Sequence, residues 1–201
     1  MKILLTAFDP FGGEKINPAL EAVKAVRAPE GVELVKLKVP TVFWKSIDTV
    51  LEAMRSEKPD AVFSIGQAGG RSVLTPEKIA VDFMDASIPD NEGNQPRASR
   101  IFADGDDAYL TTLPVEAMAE AIRAAGIPAS ISMSAGTYVC NHLMYGVLYH
   151  EKKEFTGMLG GFMHIPFSPE QAAAMKQDYP SMSVETSARG IEAALCAIRD
   201  A

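Results

Sequence analysis

The sequence predicts an α/β sandwich with a largely parallel sheet. Several short apolar runs read as strands buried on both faces. The segments between them place apolar residues three and four apart, the spacing of one helical stripe. The two kinds of segment alternate along the chain, which is the rhythm of strand–helix–strand units. No internal repeat, low-complexity tract or linker interrupts the 201 residues, so one domain spanning 1–201 is expected.

Met1-Lys-Ile-Leu-Leu-Thr-Ala-Phe8 is too short for a secretory leader, and Lys2–Ala7 reads as the first strand. Asn17-Pro18 opens a helix with asparagine as N-cap and proline in the first turn; Ala19, Leu20, Val23 and Val26 form its stripe. Val32–Lys38 is the next strand. Trp44 to Arg55 follows as a helix, with Ile47, Val50, Leu51 and Met54 on one face. Ala61–Ile65 and Ile79–Phe83 read as strands. The segment from Asp85 to Asp107 then breaks the rhythm with Pro89, Asp90, Asn91, Gly93, Asn94, Pro96 and Gly105. A loop this long is either a surface excursion or a functional element. Pro114 to Ala125 is a helix closed by Gly126 and Pro128, and Ala129–Met133 is the strand after it. Tyr138 to about His150 reads as a helix and Met158–Ile165 as a strand. Ser168-Pro-Glu-Gln171 opens a short helix, and Ser187 to Asp200 forms the last one.

A net charge of -7 without any basic cluster argues against nucleic acid or an anionic membrane as partner. No apolar run is long enough to span a bilayer. Two cysteines, Cys140 and Cys196, make no disulfide framework, and a reducing, cytoplasmic location is the expectation.

Ser134-Ala-Gly-Thr-Tyr-Val-Cys-Asn-His-Leu143 carries the chemistry. A small-residue turn leads into a helix and puts Cys140 in its first turn, beside unpaired N–H groups and the positive end of the helix dipole. A thiol there is expected to ionise more easily. A cysteine on a helix face otherwise packs a core, and Cys196 is read that way. A nucleophilic thiol needs a base, and the chain has three histidines. His142, two residues on, points to another face. His150 lies roughly 15 Å away along the helix at 1.5 Å per residue. His164 ends a strand, and ligands of parallel sheets gather outside strand carboxyl ends, as does the turn before Cys140. His164 is the geometric candidate. A carboxylate should orient it. Glu77, Asp82 and Asp85 compete, and spacing does not choose among them.

Phe8-Asp-Pro-Phe-Gly-Gly13 and Gly66-Gln-Ala-Gly-Gly70 follow strands, but neither has a dinucleotide or phosphate-loop fingerprint. The two phenylalanines suit a small flat ligand better than a pyrophosphate. No metal-ligand spacing is present, and no metal or cofactor is expected.

Taken in order, the motifs resemble those of the pyrrolidone carboxyl peptidases (pyroglutamyl peptidase type I), a family of cysteine exopeptidases. They are Thr6-Ala-Phe-Asp-Pro-Phe-Gly-Gly13, Asn17-Pro18, Val39-Pro-Thr-Val-Phe43, Gly66-Gln-Ala-Gly-Gly-Arg71, Thr75-Pro-Glu-Lys-Ile79, Ile88-Pro-Asp-Asn91, Gly136-Thr-Tyr-Val-Cys-Asn-His-Leu143 and Phe162-Met-His-Ile-Pro166. The resemblance covers nearly the whole chain. It implies a three-layer α/β/α sandwich with a mixed, largely parallel sheet, like that of purine nucleoside phosphorylase. It also implies a Cys140–His164–Glu77 triad. Phe8 and Phe11 match positions that flank a pyroglutamyl ring, and Gln67, Thr41 and Val139 match other pocket positions. The implied substrates are N-terminally pyroglutamylated peptides, and the implied assembly is a homotetramer. One departure stands out. Many members have arginine where this chain has Ser87, and loss of a nearby cation should raise the thiol pKa. Arg71 and Arg97 are the candidates to compensate.

Overall fold

The computed structural model describes residues 1–201. The central sheet has the order β2-β1-β3-β7-β4, with β1 Lys2–Phe8, β2 Glu33–Val39, β3 Ala61–Gln67, β4 Thr75–Pro76 and β7 Leu159–Ile165. Its first four strands run parallel, and only β4 is antiparallel, against β7. A separate antiparallel pair is formed by β5 Ile79–Val81 and β6 Ala108–Leu110. The helices are α1 Pro18–Ala25, α2 Lys45–Glu57, α3 Val115–Ala124, α4 Val139–Lys153, α5 Pro169–Ala174 and α6 Val184–Arg199.

Strand alternation divides the core into two layers. Ile3, Leu5, Ala7, Phe63, Ile65, Met163 and Ile165 pack toward α1, α3 and α6. Leu4, Phe8, Val62 and Phe162 pack toward α2 and α4. The result is an α/β/α sandwich with two helices on one face of the sheet and three on the other. Helix α1 starts as its sequence dictates: the Asn17 side chain accepts the Ala19 N–H, with proline at the helix start. Helix α4 is buried nearly all round, from Val139 and Asn141 through Tyr149. It is a core helix wedged between β7, α2 and the β5–β6 pair.

Two expected strands come out differently. Ile79–Phe83 contributes only β5, which pairs outside the central sheet. Ala129–Met133 forms no strand, only the isolated parallel bridges Leu74↔Ala129 and Glu77↔Ser132. The cause is Pro76. The N–H groups of Leu74 and Lys78 reach Pro128 and Ser132 carbonyls (3.0 and 2.7 Å), and those of Ser130 and Ser132 reach back to Leu74 and Pro76. Proline has no N–H to complete the ladder between them.

The long segment after β5 is pinned by the buried Asp90. Its carboxylate accepts the N–H groups of Phe43 (2.9 Å), Glu92 (2.9 Å) and Asn94 (2.8 Å) and the Asn94 side-chain amide. Those bonds outweigh burial and hold its carboxyl below the usual range.

Candidate active site

His164 is the penultimate residue of β7, paired in register with Gly66 of β3. Strand alternation puts His164 on the same face as Phe162, which is the face covered by α4. Its ring lies 4.8 Å from that of Phe162. Gly66 points to this face as well. A Cβ added there would stand 2.7 Å from the Phe162 ring and 3.0 Å from Cys140 Sγ. The sulfur therefore rests over bare backbone at the strand position beside His164, and only glycine permits that approach.

Cys140 is the second residue of α4. The Tyr138 cap supplies no side-chain acceptor, so the first-turn N–H groups remain available. Gly136, at φ +80°, makes the turn that aims the helix start at the sheet. Thr137 ties this turn to the long loop: its hydroxyl donates to the Asp85 carbonyl (2.9 Å) and its carbonyl accepts the Asp85 N–H (3.1 Å). Asn141, fully buried, accepts the Val81 N–H and donates to the Val81 and Phe83 carbonyls, locking the same turn of α4 to β5.

Among the three acids the geometry chooses Glu77. It follows β4, which pairs Thr75 opposite His164, and its Oε1 lies 2.7 Å from His164 Nδ1. Asp82 is spent elsewhere, accepting the N–H groups of Ile101 and Phe102 and pairing with Arg100 at 2.7 Å. Asp85 is exposed and pairs with Arg97 at 3.5 Å.

Arg71 Nη1 also reaches Glu77 Oε1, at 2.6 Å. Burial opposes ionisation of Glu77, but the His164 contact and the Arg71 charge outweigh it and hold the carboxyl below its ordinary range. Burial likewise holds His164 below the usual imidazole value, against the pull of Glu77. At neutral pH the pair is thus a carboxylate accepting Nδ1–H from a neutral ring, which leaves Nε2 as the basic nitrogen.

The thiol departs from expectation. Burial pushes Cys140 up to about 12, Glu77 adds to the rise, and Arg71 opposes it. Residue 140 keeps partial exposure overall, yet the sulfur itself is packed among Phe162, Gly66 and the first turn of α4. Desolvation outweighs the helix-start effect, and the resting group is a neutral thiol.

The residues expected to form the pocket differ in exposure and in partners. Phe8 is buried beneath, its ring 6.2 Å from Phe162, while Phe11 is half-buried on the loop with its ring 6.2 Å from Tyr138. The Gln67 side-chain carbonyl accepts from Gln171 (3.1 Å), so its NH₂ is the end left free. The Val139 side chain is fully buried. Thr41 is buried too, and its hydroxyl and N–H both go to Asp9 (2.8 Å each to Oδ1). Asn91 joins the same carboxylate (3.2 Å) and the Pro10 carbonyl (2.8 Å). Nothing in the spacing of Asp9, Thr41 and Asn91 announces this brace among three loops.

The remaining expectations resolve simply. His142 is buried against Phe43 and Trp44, and His150 pairs with Glu154 at 2.7 Å. Cys196 is a free thiol on α6. Ser87 is exposed, with its carbonyl taken by Gln95 (3.1 Å). Of the two arginines considered as its replacement, Arg71 contacts the cluster and Arg97 contacts Asp85.

The family model described as pyroglutamyl peptidase matches residues 1–201. The pyrrolidone-carboxylate peptidase of Lactobacillus johnsonii is 55% identical over 199 residues, covering 98% of this chain and 92% of that protein. Its counterpart in Clostridium botulinum is 52% identical over 193 residues, covering 96% and 90%. The crystal structure of Bacillus amyloliquefaciens pyroglutamyl peptidase I superposes with a TM-score of 0.96 at 43% identity, over 100% of this chain and 97% of that one. A mutant pyrrolidone carboxyl peptidase from the hyperthermophile Pyrococcus furiosus superposes with a TM-score of 0.95 at 36% identity, over 100% and 99%.

Proposed function

Because the chain belongs to the pyroglutamyl peptidase family, we propose that Cys140, His164 and Glu77 are its nucleophile, base and orienting acid. The reaction is hydrolysis of the amide bond after an N-terminal pyroglutamyl residue, releasing pyroglutamate. The observation that carries the residue roles is the 2.7 Å His164–Glu77 contact on the strand next to Gly66, over which the Cys140 sulfur sits. A single catalytic domain, residues 1–201, performs it.

Pyroglutamate has no charged α-amino group, so its pocket needs apolar walls and partners for one lactam N–H and one C=O. Phe11 forms a wall, Phe8 backs it, and the free NH₂ of Gln67 donates to the lactam carbonyl. Thr41 shapes the wall through Asp9, and Val139 fills the space below the helix start. An uncyclised residue would bring an ammonium into this slot without a partner and lose its hydration.

The sulfur attacks the scissile carbonyl as its proton passes to His164 Nε2. The resting thiol is neutral, so proton transfer accompanies attack rather than preceding it. Glu77 holds the tautomer and stabilises the imidazolium that forms. The first-turn N–H groups of α4, including that of Cys140, face the oxyanion. The imidazolium then protonates the leaving amine. Water, deprotonated by the same nitrogen, cleaves the thioester and regenerates the thiol.

No helix is long and apolar enough to cross a membrane, and the two free thiols support a reducing, cytoplasmic setting. We propose a homotetramer, with exposed Leu110 and Met133 as interface candidates. Cys140→Ala should keep its far-ultraviolet circular dichroism and lose turnover of a pyroglutamyl fluorogenic amide. Retained turnover in that variant would overturn the assignment.

A further inference from the structure

The Glu77 carboxylate creates a conflict. It orients His164, but its negative charge lies close enough to the sulfur to disfavour the thiolate that attack must generate. The groups acting on Cys140 are Glu77 and Arg71, with Tyr138 alongside and His164 on the facing strand.

Arg71 sits in the loop between β3 and β4, and its guanidinium bonds three residues. Nη1 meets Glu77 Oε1 at 2.6 Å, the same oxygen that His164 uses, and Thr75 Oγ1 at 2.5 Å. Thr75 in turn donates to the His164 carbonyl (3.3 Å). Nη2 donates to the Ser134 carbonyl at 3.0 Å. Ser134 begins the turn that presents Cys140, and its own hydroxyl accepts the Gly136 N–H (3.2 Å). Arg71 is the cation paired with Glu77, and neutral His164 is its hydrogen-bond donor. A planar fork suits such divergent acceptors, and an ammonium does not.

We propose that Arg71 is a positioning residue that fixes the turn bearing Cys140 against the Glu77–His164 pair and offsets the Glu77 charge as negative charge develops on the sulfur. This rests on the thiol peptidase reading above. The guanidinium does not touch substrate. It keeps the acid ionised without letting that acid suppress the nucleophile, and it sets the distance between the two halves of the site through one bond to each.

The test compares Arg71→Met and Arg71→Lys in a Cys196→Ser background, so that iodoacetamide reports Cys140 alone. In Arg71→Met, alkylation at pH 8 should slow about tenfold or more and its inflection should move to higher pH. The same variant should lose about a hundredfold in kcat with KM changed less than about threefold, as befits an interaction that matters in the transition state. Arg71→Lys should recover much of the alkylation rate, since it restores charge, and stay about tenfold down in kcat, since it cannot hold both Glu77 and Ser134. An alkylation profile in folded Arg71→Met identical to the parent overturns the electrostatic part. Should Arg71→Met not fold, Arg71→Lys with parental kcat overturns the positioning part. A parent protein inert toward the pyroglutamyl amide would sink the peptidase reading, and the alkylation profiles would still decide what Arg71 does to Cys140.

Discussion

Two buried histidines lie on the same side of the sheet and differ in what surrounds them. His142, on α4, packs edge-on against Phe43 (5.2 Å) and Trp44 (5.4 Å). Its Nε2 accepts the Trp44 N–H at 3.3 Å, and Nδ1 has no partner. Burial drives its pKa down to about 3. His164 is equally enclosed, but its Nδ1 meets Glu77 and the ring is tied through that acid to Arg71. Burial neutralises both rings. Both neutral rings carry their proton on Nδ1; in His164 the carboxylate receives it and Nε2 stays free, whereas in His142 the Nε2 lone pair is already occupied. Desolvation alone makes an inert histidine; desolvation with an ionised partner makes a base.

The sharpest way to break this contrast is to remove each ring in turn. His164→Gln should lower kcat for the pyroglutamyl amide by about 10³-fold or more, the scale of losing a general base in a nucleophile–base pair. His142→Gln should leave kcat within about fivefold, because that ring touches no reacting group. Equal losses in the two variants would erase the distinction. A smaller effect separates the ring from its acid. Glu77→Gln keeps the shape and a hydrogen-bonding oxygen, loses the charge that stabilises the imidazolium, and should cost about 10²-fold in kcat. An unaltered rate would leave His164 without an orienting acid, and Asp82 and Asp85 are both engaged elsewhere.

How much of this was legible beforehand follows from where each signal lives. The inner parallel strands β1 and β3 announce themselves because residues such as Ile3-Leu4-Leu5 and Ala61-Val62-Phe63 must satisfy two apolar layers at once. Cys140 at a helix start and His164 at a strand end were readable from local rules, and alternation along β7 then puts His164 on the α4 face. The acid was not readable. Glu77, Asp82 and Asp85 have similar local settings, and the choice is made by β4 turning back against β7, a pairing that places Thr75 opposite His164. That strand is two residues long, and Pro76 interrupts the ladder beside it, so no periodic signal marks it. The thiol's ionisation escapes the local sequence for a related reason. Helix position is a local property, while the desolvation that overrides it comes from Gly66 and Phe162, far away in sequence.

The histidine contrast also predicts how stability responds to acid, the smallest of these effects and the one that isolates His142. In the unfolded chain its ring binds a proton near 6.5, whereas in the folded protein it stays neutral down to about 3. Between those values the unfolded state holds more protons. Its contribution to stability is therefore intact above 6.5 and is lost as pH falls toward 3. The loss is at most about 1.4 kcal/mol per pH unit in that window. His164, also lowered by burial, adds to the slope in the same direction, and Glu77, held below its ordinary range, adds below its unfolded value near 4.5. The difference between parent and His142→Gln removes both. In urea titrations from pH 7 to pH 4, His142→Gln should be the less stable protein at pH 7, because it loses packing against Phe43 and Trp44, and its deficit should shrink steadily as the pH drops. A deficit that stays constant across the range would mean that the ring takes up its proton as easily folded as unfolded, and the pocket of Phe43 and Trp44 would no longer distinguish His142 from an exposed imidazole.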